Sequence, residues 1–478
     1  MVKLMHNSTA VLHTRPSVLL FVADDQPPNA LGIYGGANVT PNIDRIGKSG
    51  AIFANAFCTT SLCSPSRASI LTGLYAHNHN IRYLANDSTT YDQEQLPSFA
   101  ADFERAGYAT AFYGKYHLHG RFGSKLWTPP RGFSNFGIYR NAGKYFGTTL
   151  YTQHSFDNGL KAPTKEHETA TLATAASTFI RQVPKNRSLL LVVQFLSAHH
   201  PHFYPQTAQV VDAPHEPDLL PIENGIPSGM AITKLNCNYA ACNIGNKRSL
   251  QKQCGLVKDL ASRLMSDIRT VSTMIDDAVG IILGEMTERE DSPIVVYTSD
   301  QGVFTGQHGW KDKRLAMEES TRIPLLISAP NWFQGGGVHL KDTVKTVDIA
   351  PTLLSLADIA PERPFDGLSV TRIDKSWDQR LYYRFWSEND ASRPSHWSMR
   401  TPRHKVVFYD GMWPECNGSS KGCVELFHVH EGSAETENVA KKFPHVAVSH
   451  LLEAAVLAKS LGDNVVTLSQ DQWLSVVG

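Results

Sequence analysis

Apolar residues in this chain fall into short unbroken runs separated by longer amphipathic stretches. Residues 17–23 (SVLLFVA) form a β-branched, leucine-rich run that ends in Asp24 and Asp25. A run of that length without alternation predicts a strand buried on both faces. Carboxylates at its carboxyl end lie where open α/β sheets gather ligands. Similar runs at 109–113, 188–197, 293–298 and 323–328 predict further buried strands. Apolar positions at helical spacing predict helices over 96–106, 167–182, 256–283 and 346–356. Strands alternating with helices imply an α/β fold with one large, mostly parallel mixed sheet flanked by helices on both sides.

After residue 372 the pattern changes. The segments 380–386, 397–400, 405–409 and 425–429 are short and aromatic-rich with turn residues between them, which predicts a small antiparallel sheet. Residues 446–461 predict one closing helix, and 411–423 a loop. The chain is thus expected to divide into a catalytic part, 16–372, and a C-terminal α+β subdomain, 373–478. No apolar run approaches the roughly 18 residues that span a bilayer, so no membrane span is expected.

Charge narrows the function classes. Lys plus Arg (45) equals Asp plus Glu (45), so no global field recruits nucleic acid or an anionic membrane, although a local basic pocket can still bind an anion. The first fifteen residues lack the apolar stretch of a secretory signal, which fits a cytosolic protein or one whose leader is not part of this chain. Seven cysteines stand at 58, 63, 237, 242, 254, 416 and 423. With Cys63 set aside for chemistry, the other six can pair, and Cys416 and Cys423 bracket a Gly/Ser-rich loop. Five glycosylation sequons, at Asn7, Asn38, Asn86, Asn186 and Asn417, are compatible with a secreted origin and also with chance.

The most informative segment is Cys63-Ser64-Pro65-Ser66-Arg67-Ala68-Ser69-Ile70-Leu71-Thr72-Gly73. A cap-capable Ser and a Pro suited to a first turn, followed by good helix formers, put Cys63 at a helix N-terminus. Free backbone N–H groups and the positive end of the helix dipole favour an anion there. Arg67, four residues on, shares a helical face with Cys63 and can neutralise that anion.

This segment resembles the signature of the sulfatase family, Cys-X-Pro-Ser-Arg followed by X-X-X-Leu-Thr-Gly, and every fixed position is met. The resemblance extends from Pro16 to about Val439 and implies an alkaline-phosphatase-like fold and hydrolysis of sulfate esters. It implies that Cys63 is oxidised by a maturation enzyme to formylglycine, whose hydrate is the nucleophile. Asp24 and Asp25 match the family's paired aspartates, and Asp300-Gln301-Gly302 its Asp-Asn/His-Gly element, with Gln301 a departure from the commoner Asn or His. These oxygen donors, with residue 63, suit a hard divalent cation such as Ca²⁺.

Gly114-Lys115-Tyr116-His117-Leu118 resembles the family's Gly-Lys-Trp-His-Leu element, so Lys115 is expected to hold a sulfate oxygen and His117 to act as a base. In Ala198-His199-His200-Pro201-His202, His202 matches the family's sulfate-contacting histidine, with His200 the alternative one register away. Within 307–313 (QHGWKDK) the active-site lysine is expected at Lys313, with Lys311 its competitor, and His308 is a candidate for the substrate pocket. By resemblance Asp300 takes the proton of the attacking hydroxyl, while His202 or Lys313 gives one to the leaving alcohol.

Residues 74–80 (LYAHNHN) and 312–314 (DKR) look most like enzymes that act on sulfated sugars such as the glucosamine sulfates of heparan-type chains. The expected partners are therefore a sulfated saccharide and the maturation enzyme, in a secreted, periplasmic or lysosomal setting. A phosphonate or phosphate monoester hydrolase, a small-molecule arylsulfatase, and a carbohydrate-binding protein whose Cys63 is never converted are the competing readings.

Overall fold

The computed structural model describes residues 15–36, 40–84, 96–118, 130–139, 145–152, 160–161, 165–205, 208, 247–309, 311–333, 335–387, 394–410, 422–429 and 435–477. Its centre is a large sheet. Read across, the strands run Arg322–Ile323, Ala51–Phe57, Leu325–Ser328, Ile294–Ser299, Val18–Ala23, Leu189–Gln194, Ala109–Gly114, Asn135–Tyr139, Thr149–Tyr151 and Leu160–Lys161, with Val338–Lys345 paired to Ala51–Phe57. The five strands from Ile294–Ser299 to Asn135–Tyr139 are parallel, and antiparallel neighbours finish both sides.

The run 17–23 is a strand because both of its faces are buried. Val18, Leu20 and Val22 enter one apolar layer with the helices Cys63–Thr72, Phe99–Arg105 and Ile349–Leu356. Leu19, Phe21 and Ala23 enter the opposite layer with Pro41–Lys48, Glu168–Gln182 and Lys247–Glu288. Each fully buried Val, Leu or Phe contributes about 1.5–3 kcal/mol of hydrophobic stabilisation, so a side chain lost from this strand is felt on one whole face.

The expected strand 323–328 is interrupted. Pro324 separates Arg322–Ile323 from Leu325–Ser328 because proline has no N–H for the ladder. The strands Ala51–Phe57, Asn135–Tyr139, Thr149–Tyr151, Leu160–Lys161 and Val338–Lys345 were not anticipated; the last is mostly polar.

The C-terminal part forms the expected four-stranded antiparallel sheet, Leu381–Phe385, His396–Arg400, His404–Tyr409 and Cys423–His428. Two helices close it rather than one, Pro444–Ser460 and Gln470–Val477; Trp473 of the second is fully buried against Trp397 and Phe408. Cys423 is disulfide-bonded. The side chains of Cys237, Cys242, Cys254 and Cys416, nearly all of the loop 411–423, and the sequons at Asn7, Asn38, Asn86 and Asn417 lie outside the described residues, while Asn186 is exposed. Among the described residues no helix is long and apolar enough to cross a membrane.

A largely buried ionic network ties this sheet to the main body. Glu318 opens the short helix Glu318–Thr321. Its Oε1 pairs with Arg400 Nε at 2.7 Å and Lys405 Nζ at 3.2 Å, and Lys405 also meets Glu435 at 2.5 Å. Burial pushes the Glu318 carboxyl up, but Lys405, Arg400 and Arg322 outweigh it and hold it down at about 2. Removing the carboxylate with Glu318→Gln leaves these cations facing a neutral amide and is expected to cost about 3 kcal/mol of unfolding free energy at neutral pH. Since the unfolded value is about 4.3, this contribution is complete above about pH 5 and is lost as the pH falls toward 2. Urea denaturation is therefore expected to show a gap between wild type and E318Q that closes between pH 7 and about pH 2.5.

Candidate active site

Parallel strands in register end together, so the residues after them share one edge. Ala23 is level with Ser299, and Val22 and Gly114 are both level with Gln194. Asp24 and Asp25, Asp300 and Gln301, and Lys115 therefore emerge side by side. Gly114 allows this closeness: its φ is 109°, and a Cβ there would sit 2.0 Å from the Gln194 carbonyl oxygen. Backbone bonds lock the edge, with Asp300 N–H donating to Ala23 O at 3.1 Å and Ala198 N–H to Asp24 O at 2.8 Å.

The helix Cys63–Thr72 enters this edge by its N-terminus, and all of its residues are buried. Ser64 does not cap it. Its hydroxyl donates instead to the His117 carbonyl at 2.8 Å, and the cap position is Leu62, which has no side-chain bond to offer. Ser66 Oγ donates to the Asp300 carbonyl, fastening the helix to the metal-ligand candidate.

Three carboxylates face three cations around Cys63. Arg67, 0 % exposed, donates through Nη1 to Gln194 Oε1 at 2.5 Å and Lys115 O at 3.0 Å. Its Nη2 lies 2.9 Å from Asp300 Oδ2 and 3.4 Å from Asp24 Oδ1. Lys115 Nζ pairs with Asp24 Oδ2. Lys313 Nζ reaches both Asp25 oxygens, at 2.5 and 2.7 Å, and lies 3.3 Å from Cys63 Sγ. Asp24, Asp25 and Cys63 present ligand atoms within 4.8 Å of one another.

The charges sort the proton affinities. Burial raises Asp24, but Lys115 and Arg67, with His199 and Lys313, carry it well below the usual carboxylate range. Asp25 is lowered too, burial being outweighed by Lys313 and His199. Asp300 goes the other way, to about 7: burial raises it, Arg67 opposes, and the charges of Asp24 and Asp25 add to burial. Burial also raises the Cys63 thiol against Lys115 and Lys313. An unmodified Cys63 is thus a neutral thiol, a poor nucleophile.

Gln301 Nε2 donates to Asp25 Oδ1 at 2.7 Å and approaches Cys63 Sγ at 3.3 Å, while its Oε1 is buried without a hydrogen-bond partner among the described residues. A half-turn of the amide exchanges the two atoms and aims the oxygen at the carboxylate cluster. Two low-lying carboxylates, Asp300 and an orphaned amide oxygen form an all-oxygen donor set that fits a hard divalent cation.

The histidines divide. His199 Nε2 lies 3.7 Å from Asp25 Oδ2, and the charge of Asp25 also acts on His202. Burial and then the neighbouring His200 push His202 down to about 4, so it is neutral at physiological pH; the two rings are 5.7 Å apart. His117 stands at the mouth of the strand Ala109–Gly114 with φ 55°. His308 bonds Glu319 through Nε2 at 3.2 Å and packs on Phe304, with no described contact to the Cys63 cluster. The Lys311 side chain lies outside the described residues.

Sequence reasoning missed the supports. Gln194, at the end of a strand, orients Arg67. Glu168 accepts the Ser197 N–H at 2.9 Å, and Tyr145 O–H donates to the His199 carbonyl. No local motif marks these residues; only their juxtaposition does. Strain marks the site more plainly: of nine non-glycine residues with positive φ among those described, Asp25, His117, His308, Asp312 and Arg314 belong to the site loops.

The sulfatase family model matches residues 16–359, and the model of the C-terminal part of N-sulphoglucosamine sulphohydrolase matches 306–460. The chain belongs to the sulfatase family. This sulfatase is 25% identical over 456 residues to the N-acetylglucosamine-6-O-sulfatase of Bacteroides thetaiotaomicron, covering 83% of this chain and 78% of that protein. Its fold is shared with a solved protein in complex with D-glucosamine-2-N,6-O-disulfate, at TM-score 0.78 and 21% identity over 94% of this chain and 99% of the other. It is shared as well with the phosphonate monoester hydrolase of Agrobacterium radiobacter, at TM-score 0.70 and 18% identity over 94% and 95% of the two chains. The sulfatase is a sulfuric ester hydrolase with the alkaline-phosphatase-like architecture that its sequence implies.

Arg67→Met removes the cation between Asp24 and Asp300 and is expected to cost about 3–5 kcal/mol in urea denaturation, because buried Asp300 loses its ion pair with Arg67 and Asp24 keeps only the one with Lys115 among the described residues. Arg67→Lys is expected to recover only part of this loss, since one ammonium cannot replace the planar fork.

Proposed function

We propose that this sulfatase removes a sulfate ester from a sulfated carbohydrate, using formylglycine made from Cys63 and a calcium ion held by Asp24, Asp25, Asp300 and Gln301. The observation that carries the reading is the buried ring of three carboxylates and three cations around Cys63. With Asp300 ionised the ring is balanced, so an incoming anionic ester needs added positive charge. A divalent cation held by the carboxylates would supply it and would leave Lys115 and Lys313 to face the sulfate. The glucosamine sulfate chemistry named for the relatives supports the carbohydrate class.

When formed and loaded, the formylglycine hydrate supplies the nucleophile and the cation polarises a sulfate oxygen. Arg67, Lys115 and Lys313 bind the remaining sulfate oxygens and stabilise the charge that builds on them. Asp300 takes the proton of the attacking hydroxyl. Lys313, rather than His202, is assigned the proton for the leaving alcohol, because His202 is neutral above about pH 4 and lacks a readily given proton. His117 would remove the proton of the second hydroxyl at residue 63, so that the C–O bond to the transferred sulfate breaks, the aldehyde is restored and sulfate leaves.

Residues 16–372 are assigned to the catalytic part and 373–478 to the subdomain that carries the small sheet. The disulfide at Cys423 favours an oxidising compartment: secreted, periplasmic or lysosomal.

Two measurements test this reading. Peptide mass spectrometry is expected to find residue 63 as formylglycine, with sulfate released from glucosamine sulfates and no release by Cys63→Ala. Full conversion with turnover of a phosphonate ester but no sulfate ester would overturn it in favour of a phosphonate hydrolase. In thermal denaturation of chelator-treated protein, Ca²⁺ at about a hundred times its Kd is expected to add about 2.7 kcal/mol of stability, and Asp25→Asn to abolish most of that gain.

A further inference from the structure

Phe203 follows the histidine loop and is 52 % exposed. A solitary exposed apolar side chain needs no explanation, but this one is fixed in place. Its carbonyl accepts from His167 Nε2 at 3.0 Å, and the next residue, Tyr204, donates through its hydroxyl to Asp267 Oδ1 at 2.9 Å. The ring meets Tyr145 edge to face, with centroids 6.0 Å apart. Tyr145 in turn donates to the His199 carbonyl, and His199 Nε2 stands 3.7 Å from Asp25 Oδ2. A chain of contacts thus leads from Asp25 through His199 and Tyr145 to an aromatic ring whose backbone is anchored and which is left half exposed.

We propose that Phe203 is the platform on which the apolar face of the substrate's sugar ring stacks, and that it sets a preference for saccharide sulfates over smaller esters. The inference rests on the carbohydrate reading above. A pyranose presents C–H groups on its faces and hydroxyls around its rim, and the negative face of an aromatic ring attracts polarised C–H groups. The charged cluster holds the sulfate; Phe203 holds the part of the substrate that does not react. Such contact is the same in the ground and transition states, so it acts on KM and leaves kcat nearly unchanged.

The test compares wild type, Phe203→Ala and Phe203→Trp on glucosamine 6-sulfate, and measures inhibition by inorganic sulfate against an aryl sulfate. The Ala variant is expected to raise KM for the saccharide about three- to tenfold, with kcat and the sulfate inhibition constant within about twofold of wild type. The Trp variant is expected to keep the wild-type KM. An unchanged KM in the Ala variant overturns the platform. So does a parallel rise in KM and the sulfate inhibition constant, which would make Phe203 a prop for Tyr145 and His199. If the wild type cleaves the aryl sulfate but no sulfated saccharide, the carbohydrate reading fails and the platform falls with it. That outcome is told apart from the first by the wild type alone.

Discussion

Buried charge must be balanced, and in this protein the balance is struck at one guanidinium. Arg67 lies between Asp24 and Asp300 with no exposure to solvent, and its Nη1 donates to Gln194 and the Lys115 carbonyl. Each of those partners comes from a different strand end. Arg67 itself is one turn into the helix that begins at Cys63. The residue that neutralises the carboxylates therefore also sets where the nucleophile helix meets the sheet. Lys115 and Lys313 complete the balance from two further loops. Three acids and three bases packed this way leave no room for an unmatched charge.

Around this centre the chain accepts local cost. Five site-loop residues adopt positive φ without being glycine, and each such residue costs of order 1 kcal/mol or more. The loop that carries Lys313 bends through two of them, Asp312 and Arg314, and continues into the helix headed by Glu318. Glu318 is gripped by Arg400 and Lys405 of the small antiparallel sheet. The C-terminal sheet thus lies one ionic network away from the lysine beside Cys63. This gives a physical reason for two sheets with separate apolar cores to act as one enzyme.

The same logic separates the histidines. Burial lowers His202 and makes it a neutral neighbour, whereas His199 approaches Asp25 directly and His308 is taken up by Glu319. Three adjacent histidines in one loop look equivalent in sequence, yet backbone direction and burial give them different chemistry. Tyr145, bonded to the His199 carbonyl and packed on Phe203, links the charged centre to the aromatic rim.

The sequence by itself determined the elements whose signals are local. Unbroken apolar runs marked four of the five parallel strands, all but Asn135–Tyr139, because a strand buried on both faces has no polar side to show. The Cys63–Gly73 motif marked the candidate nucleophile, because helix start, cysteine and arginine sit within one stretch of chain. The mostly polar strand Val338–Lys345 was not legible, since its pairing comes from residues far away in sequence, and the run 323–328 did not show that Pro324 splits it. Only the tertiary structure decided that Ser64 bonds His117 rather than capping its helix, that His199 approaches Asp25, that Gln301 keeps a buried oxygen without a hydrogen-bond partner among the described residues, and that Gln194 and Tyr145 support the site. Those outcomes depend on distances between strand ends and on the sum of buried charges, and neither is set by any one segment of the chain.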